Sequence, residues 1–335
     1  MPHVCVLRSL CLTALGLAAP TSASAQAPDV EWSGLAFIDY EYLIASDDPQ
    51  AEGDNTFDYR RIYLTADAAL DEAFDARVRL EARGRSTTAQ GRPAPFVKDA
   101  WVRWTYAASG HNATLGVQPP PLFEVAERVW GYRSLDATVV DRADVRDSRD
   151  FGLRLDGPVA AGGDLSYGVM VGNGNGVRPE ADGERGKRVY GQLAYTPGAV
   201  FRATLGADYS APTGSDRVSS VRTSAFAGAV TEAARGGVEA FYVRNSFDAP
   251  GFVNQDGVGV SVFGAVNLSA RTSVVARYDY LDDDAGQVGE DEHYVLGAFA
   301  YRPIPAVSLM PNVIVTMPDG ADATVLGRFT TYVRF

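Results

Sequence analysis

The sequence predicts an all-β fold: a transmembrane antiparallel β-barrel of about 16 strands, with short turns at one end and long polar loops at the other. The closing residues carry the first sign. Phe335, Val333, Thr331, Phe329 and Gly327 fall on one face of Gly327–Phe335, and Arg334, Tyr332, Thr330 and Arg328 on the other. That is a period of two, one face apolar or neutral and one polar and cationic. The same alternation returns in segment after segment. Finally, no later stretch approaches the ~18 consecutive apolar residues of a membrane-spanning helix. Gly 34, Tyr 16 and Phe 15 suit strands, turns and interfacial rings. A mean hydropathy of −0.10 is compatible, because a barrel wall shows only every second residue to lipid.

The amino-terminal residues read as an export leader. Arg8 precedes an apolar run from Leu10 through Ala19, and Ala23-Ser24-Ala25 gives a small-x-small site before Gln26. The expected division is a signal peptide at 1–25 and a barrel at 26–335, in a Gram-negative-type bacterial outer membrane. Both cysteines, Cys5 and Cys11, belong to the leader, and Arg8-Ser9-Leu10 makes a poor lipobox. The expected mature chain therefore has no disulfide to hold it.

The strands follow in order. Over 57–70 the lipid-type face is Ile62, Leu64, Ala66, Ala68 and Leu70, against Arg61, Tyr63, Thr65 and Asp67. Over 75–83, Ala76, Val78, Leu80 and Ala82 oppose Asp75, Arg77, Arg79, Glu81 and Arg83. On a helix those arginines, at spacing two, would scatter round the axis. The other segments are 34–43, 97–106, 112–118, 150–156, 164–173, 187–196, 199–209, 218–230, 237–246, 257–268, 271–281, 291–302, 305–316 and 324–335. Short joints such as 71–72, 197–198 and 303–304 alternate with longer ones at 44–56, 84–96, 119–149, 174–186, 210–217, 247–256, 282–290 and 317–323. Short turns and both termini then belong in the periplasm. Tyr106, Tyr195, Tyr301 and Phe335 fall at that end, and Tyr40, Tyr42, Tyr209, Tyr278 and Tyr280 near the outer end, as two interfacial girdles require.

A barrel of this size is too wide for side chains to fill, so its interior depends on what narrows it. In this phase Arg61, Arg77, Arg79, Arg103, Arg154, Arg188 and Arg202 face inward, as do Arg277 and Arg328. Asp39, Asp67, Asp75, Glu81, Asp99, Asp150, Asp208 and Asp279 oppose them. Such facing rows set up a transverse field, although a salt-bridged, hydrated wall gives the same pattern. The longest loop, 119–149, has apolar anchors at Phe123, Val129, Trp130 and Leu135 and charges at Glu124, Glu127, Arg128, Arg133, Arg142, Asp144 and Arg146. Loops of that length usually have a task of their own. Folded inward it forms a constriction; folded outward, a lid or a subunit contact. Phe329, Tyr332, Val333 and Phe335 are the candidate terminal assembly signal.

Arg60-Arg61-Ile62-Tyr63-Leu64, Lys98-Asp99-Ala100-Trp101-Val102, Leu115 through Pro120 with its Gly116-Val117-Gln118 centre, Asp150 through Gly157 and Tyr167 through Gly174 resemble, in that order, elements of the phosphate-selective porin O/P family. The resemblance covers roughly 57–195 by motif. It implies a 16-stranded, trimeric porin with a constriction loop after the fifth strand. Only two lysines, Lys98 and Lys187, are present, so arginine would have to supply any anion preference.

The function expected is passive diffusion of small hydrophilic solutes and ions, with an anion preference in the barrel; phosphate-like anions are the class the resemblance adds. A structural or adhesive barrel and a soluble periplasmic β-protein are the alternatives. Expected partners are outer-membrane lipid and lipopolysaccharide, the barrel-assembly machinery, the solutes themselves and two further copies in a homotrimer. A net charge of −12 with acid concentrated in loops, as at Asp282-Asp283-Asp284, argues against nucleic acid. No enzymatic spacing, cofactor motif or metal-ligand cluster stands out. His111 and His293 are isolated, and Gly172-Asn173-Gly174-Asn175-Gly176 lacks the lysine of a phosphate loop.

Overall fold

The computed structural model describes residues 28–335 apart from 85–86, 89–90, 144–147, 161, 179–185, 214–217, 249–250, 252, 286, 288 and 290. The expected leader, 1–25, therefore lies outside the described residues. The first five strands are β1 (Asp29–Ala45), β2 (Asn55–Ala69), β3 (Phe74–Ala82), β4 (Phe96–Ala107) and β5 (His111–Gln118). After two short helices come β6 (Asp150–Pro158), β7 (Leu165–Gly172), β8 (Arg188–Tyr195), β9 (Phe201–Thr213) and β10 (Val218–Val230). The chain continues with β11 (Ala234–Phe247), β12 (Gln255–Asn267) and β13 (Thr272–Asp282). It ends with β14 (Asp291–Ile304), β15 (Val307–Pro318) and β16 (Thr324–Arg334).

Each strand pairs antiparallel with its sequence neighbours, and β16 pairs with β1 to close a 16-stranded barrel. Closure removes the open edges that an apolar sheet would otherwise present. At the seam, the Gly34 amide donates to the Phe335 carbonyl at 2.6 Å, and the Phe335 amide donates back to Gly34 at 3.0 Å. The Phe335 ring occupies the space where a Cβ on residue 34 would sit, 2.4 Å from its position. A larger residue at 34 would push that ring aside.

The phase follows the alternation. Ile62, Leu64, Val78 and Leu80 are exposed on the outer surface, whereas Tyr63, Thr65 and Glu81 are buried inside. In the last strand Phe329 is outward and exposed, Arg328 and Thr330 are buried, and Tyr332 packs against interior residues. Aromatic belts mark both ends of the outer wall. Trp104, Tyr106, His111 and Tyr167 form a chain of neighbouring rings 5.6 to 6.1 Å apart at the short-turn end. Tyr40–Phe57 and Tyr278–His293–Tyr280 occupy the long-loop end.

Several strands run further than the hydropathy pattern suggests. β1 starts at Asp29 rather than 34, and β9 continues to Thr213 rather than 209. In β9 the added Ser210-Ala211-Pro212-Thr213 shows no apolar alternation, whereas in β1 Val30 and Trp32 still alternate with Asp29, Glu31 and Ser33, a part of the pattern that the expected bounds leave out.

Candidate functional site

The segment after β5 turns into the barrel and stays there. It contains α1 (Glu124–Trp130) and α2 (Val139–Arg142). Val125, Ala126, Val129 and Trp130 fall on one face of α1 and are buried. They pack on lumenal residues of the wall: Phe226, Phe263, Val275, Leu296, Met310 and Ile314. Trp130 meets Phe263 edge-on at 5.1 Å, and its indole N–H donates to the Asp136 carbonyl at 2.8 Å. Gly131 ends the helix in the left-handed region, φ 69°, where glycine carries no Cβ penalty. A second patch seats Val139 and Val140 of α2 against Phe241, Val243 and Leu281. The anchors expected from the sequence are all buried: Phe123, Val129, Trp130 and Leu135.

Arginines of the wall then hold the turn between the helices. Arg60 donates from Nη1 to the Leu135 carbonyl at 2.8 Å and from Nη2 to that of Ser134. Arg328 donates to the same Leu135 oxygen at 2.6 Å, and Arg277 to the Ala137 carbonyl. Arg142, on the loop, reaches out to Asp279 at 3.1 Å and Glu292 at 3.0 Å. Burial pushes the Asp136 carboxyl up, but the Tyr294 hydroxyl, Arg277 and the Ala137 amide outweigh it and hold it below the usual range.

Opposite the loop stands a cationic wall, and two β-bulges build it. Phe37 pairs with Arg61 and Ile38 with Tyr59, leaving Arg60 as an extra residue in β2. Arg79 pairs with Asp99 and Leu80 with Val97, leaving Lys98 extra in β4. A bulge puts two residues opposite one and re-aims a side chain. As a result both Arg60 and Arg61, and both Lys98 and Asp99, serve the interior. Arg61, Arg83 and Lys98 surround Glu81 at 3.1, 2.5 and 3.1 Å. Arg79 lies 3.2 Å from Asp99, which also pairs with Arg149. Five cationic groups thus share two carboxylates. Sequence alternation alone assigns Arg60 and Lys98 to the lipid face, so a strict period of two misses both.

Across the gap, Arg133 bridges Glu127 at 3.0 Å and Asp141 at 2.7 Å. Between loop and wall, and continuing to the short-turn end, lies a cavity of about 820 Å³. Among the described residues Arg61, Arg79, Arg133, Arg149, Arg271, Arg302 and Arg334 line it, with the carboxylates Glu127 and Glu232. Among the described residues, Arg271, Arg302 and Arg334 make no ion pair.

The remaining sequence candidates divide by position. Arg77 pairs with Asp67 at 2.6 Å and Arg103 with Asp75 at 2.9 Å, in a vestibule at the short-turn end that Arg154 and Glu124 also line. Arg154 bonds Glu124 at 2.9 Å and the Pro119 carbonyl at 3.1 Å, fastening the start of the loop. Arg128 is exposed into the same end. Arg202 bonds the carbonyls of Gly198 and Phe201 at the rim. Arg188 and Asp208 face inward but are closed off from the open lumen. They are buried with Arg222, whose Nε lies 2.8 Å from Asp208, near the packed cluster of Leu122, Phe123, Met170 and Tyr190. Asp144 and Arg146 lie outside the described residues.

The fold has many solved relatives at low identity. An anion-selective porin from Comamonas acidovorans superposes with a TM-score of 0.69 at 12% identity, over 92% of this chain and 100% of that one. The outer-membrane channel DcaP of Acinetobacter baumannii gives 0.67 at 11%, covering 92% and 97%. The trimer form of OmpT, an outer membrane protein of Vibrio cholerae, gives 0.65 at 12%, covering 92% and 100%. The chain has no match among curated protein sequences. Residues 11–309 match the family described as Gram-negative porin. With that match over most of its length and a closed 16-stranded barrel around an inward-folded loop, the chain belongs to the Gram-negative porins, channel proteins of the outer membrane.

Proposed function

We propose that the protein is a passive diffusion pore for small hydrophilic solutes with a preference for anions. One observation carries the preference: of seven guanidinium groups around a single lumenal cavity of about 820 Å³, four are ion-paired, and Arg271, Arg302 and Arg334 make no ion pair among the described residues. In a narrow passage with low-dielectric walls, charges of one sign focus the field and raise the local concentration of the opposite ion. Guanidinium also binds carboxylate and phosphate through paired N–H groups, so phosphate-like anions fall within the same solute class. The loop 119–149 is read as the constriction. Glu127, Arg133 and Arg142 of the loop, with Arg61, Arg79 and Asp99 of the wall, set the local field.

The same reading includes export through a signal peptide at 1–25 and recognition of the Phe329–Phe335 strand by the barrel-assembly machinery. It also includes seating among lipid and lipopolysaccharide, and assembly as a homotrimer. Purified protein in a planar bilayer should give discrete, long-lived conductance steps. A sealed structural or adhesive barrel gives none, and their absence would remove the pore reading.

A further inference from the structure

The cavity beneath the loop has two cationic ends and an uncharged band between them. Arg61 and Arg133 stand at the constriction, and Arg302 and Arg334 at the short-turn mouth. Between them the wall presents Leu35 and Tyr332, with Phe37 and Met310 buried behind. The half-buried Tyr332 ring, backed by the buried Phe37 ring at 5.6 Å, makes a small apolar ledge with Leu35. The Arg61 guanidinium sits 5.9 Å from the Phe37 centroid and 5.5 Å from that of Tyr63. The Arg61 guanidinium is thus braced between two buried rings. Arg302 and Arg334 are exposed to the cavity mouth and carry no ion pair among the described residues.

A small hydrated anion gains from the arginines but nothing from the ledge, which displaces part of its water. A carboxylate mounted on an aromatic ring uses both. Its charge passes from one set of guanidiniums to the next, while the ring slides over Leu35 and Tyr332 and stacks beside guanidinium planes. We infer that small aromatic carboxylates are a preferred solute class of this channel. The inference rests on the anion-preferring pore proposed above and names the solute that pore favours.

Bi-ionic reversal potentials test it, with potassium benzoate on one side of a planar bilayer and potassium acetate on the other. Sieving by size alone makes benzoate the less permeant ion. The expected permeability ratio, benzoate over acetate, is instead above one, by about threefold, the factor that one ring–guanidinium contact supplies. Tyr332→Ser and, separately, Leu35→Ser should bring the ratio below one; two variants guard against one failing to fold. A wild-type ratio below one, alongside a chloride-side reversal potential in KCl, overturns the inference and leaves the anion pore standing. A ratio above one that survives both substitutions also overturns it, since the ledge is then not its source. A KCl reversal potential without anion preference removes the underlying reading, and this inference with it.

Discussion

The guanidinium of Arg60 donates to the carbonyl of Leu135 at 2.8 Å, tying a bulged residue of the second strand to the turn between the two lumenal helices. Arg328 shares that carbonyl from the last strand. The turn is therefore held from both sides of the seam where the barrel closes. Replacing Arg60 by alanine removes charge-assisted bonds to Leu135 and Ser134 and should weaken docking by about 1–3 kcal/mol. The barrel, held by its own backbone ladder, should still show heat-modifiable migration. Single-channel records are expected to become noisier, with larger mean conductance; unchanged records would mean that the clamp is idle.

Trp130 anchors the same segment by burial rather than charge. It is 1% exposed and touches both the loop and Phe263 of the wall. Trp130→Ala should cost on the order of 3–5 kcal/mol of packing. Most of that cost falls on loop docking. Protease cleavage within 119–149 in folded, detergent-solubilised protein should accelerate over wild type. Removing the loop outright should raise conductance and weaken ion selectivity together.

Protonation of Glu127 provides a pH handle. Burial pushes its carboxyl up, against the pull of Arg133, and Asp141 adds to the rise. It therefore becomes neutral at a higher pH than an ordinary glutamate, whose pKa is about 4.3. Neutralisation takes one negative charge from a cavity rich in arginine, so anion preference should grow as pH is lowered through that range. Glu127→Gln should hold the low-pH selectivity at every pH. A titration identical in wild type and variant would assign the effect elsewhere.

Gly34 and Phe335 make the seam a matched pair. A side chain at 34 meets the terminal ring, so Gly34→Val forces that ring away from the first strand. Yield of folded, heat-modifiable barrel should drop for Gly34→Val and for deletion of Phe335. A normal yield from both would show that this contact is dispensable for closure.

The strands were legible because lipid imposes a simple rule on one face, and a barrel repeats that rule in every element. Even β10, whose alternation is weak, runs over the expected Val218–Val230. Loop anchoring was legible from Phe123, Val129, Trp130 and Leu135, apolar residues with no lipid to face. Their wall partners were less visible. Val274-Val275, Val295-Leu296 and Val313-Ile314-Val315 break the alternation with apolar residues on both faces, which is the mark of a strand buried on both sides. In β13–β15 the inner members of those runs, Val275, Leu296 and Ile314, belong to the cluster under α1. Arg60 and Lys98 were hidden because a bulge shifts the phase by one residue and leaves no local mark. Nor does composition say which inward arginines stay open to water. Arg188 is spent on Asp208, while Arg302 and Arg334 are not.

The most direct measurement is the zero-current potential across a planar bilayer with a tenfold KCl gradient. The arginines of the lumenal cavity that make no ion pair among the described residues, Arg271, Arg302 and Arg334, predict a potential of the sign set by chloride, with chloride more permeant than potassium. A potential of zero, or one of the sign set by potassium, would contradict the account.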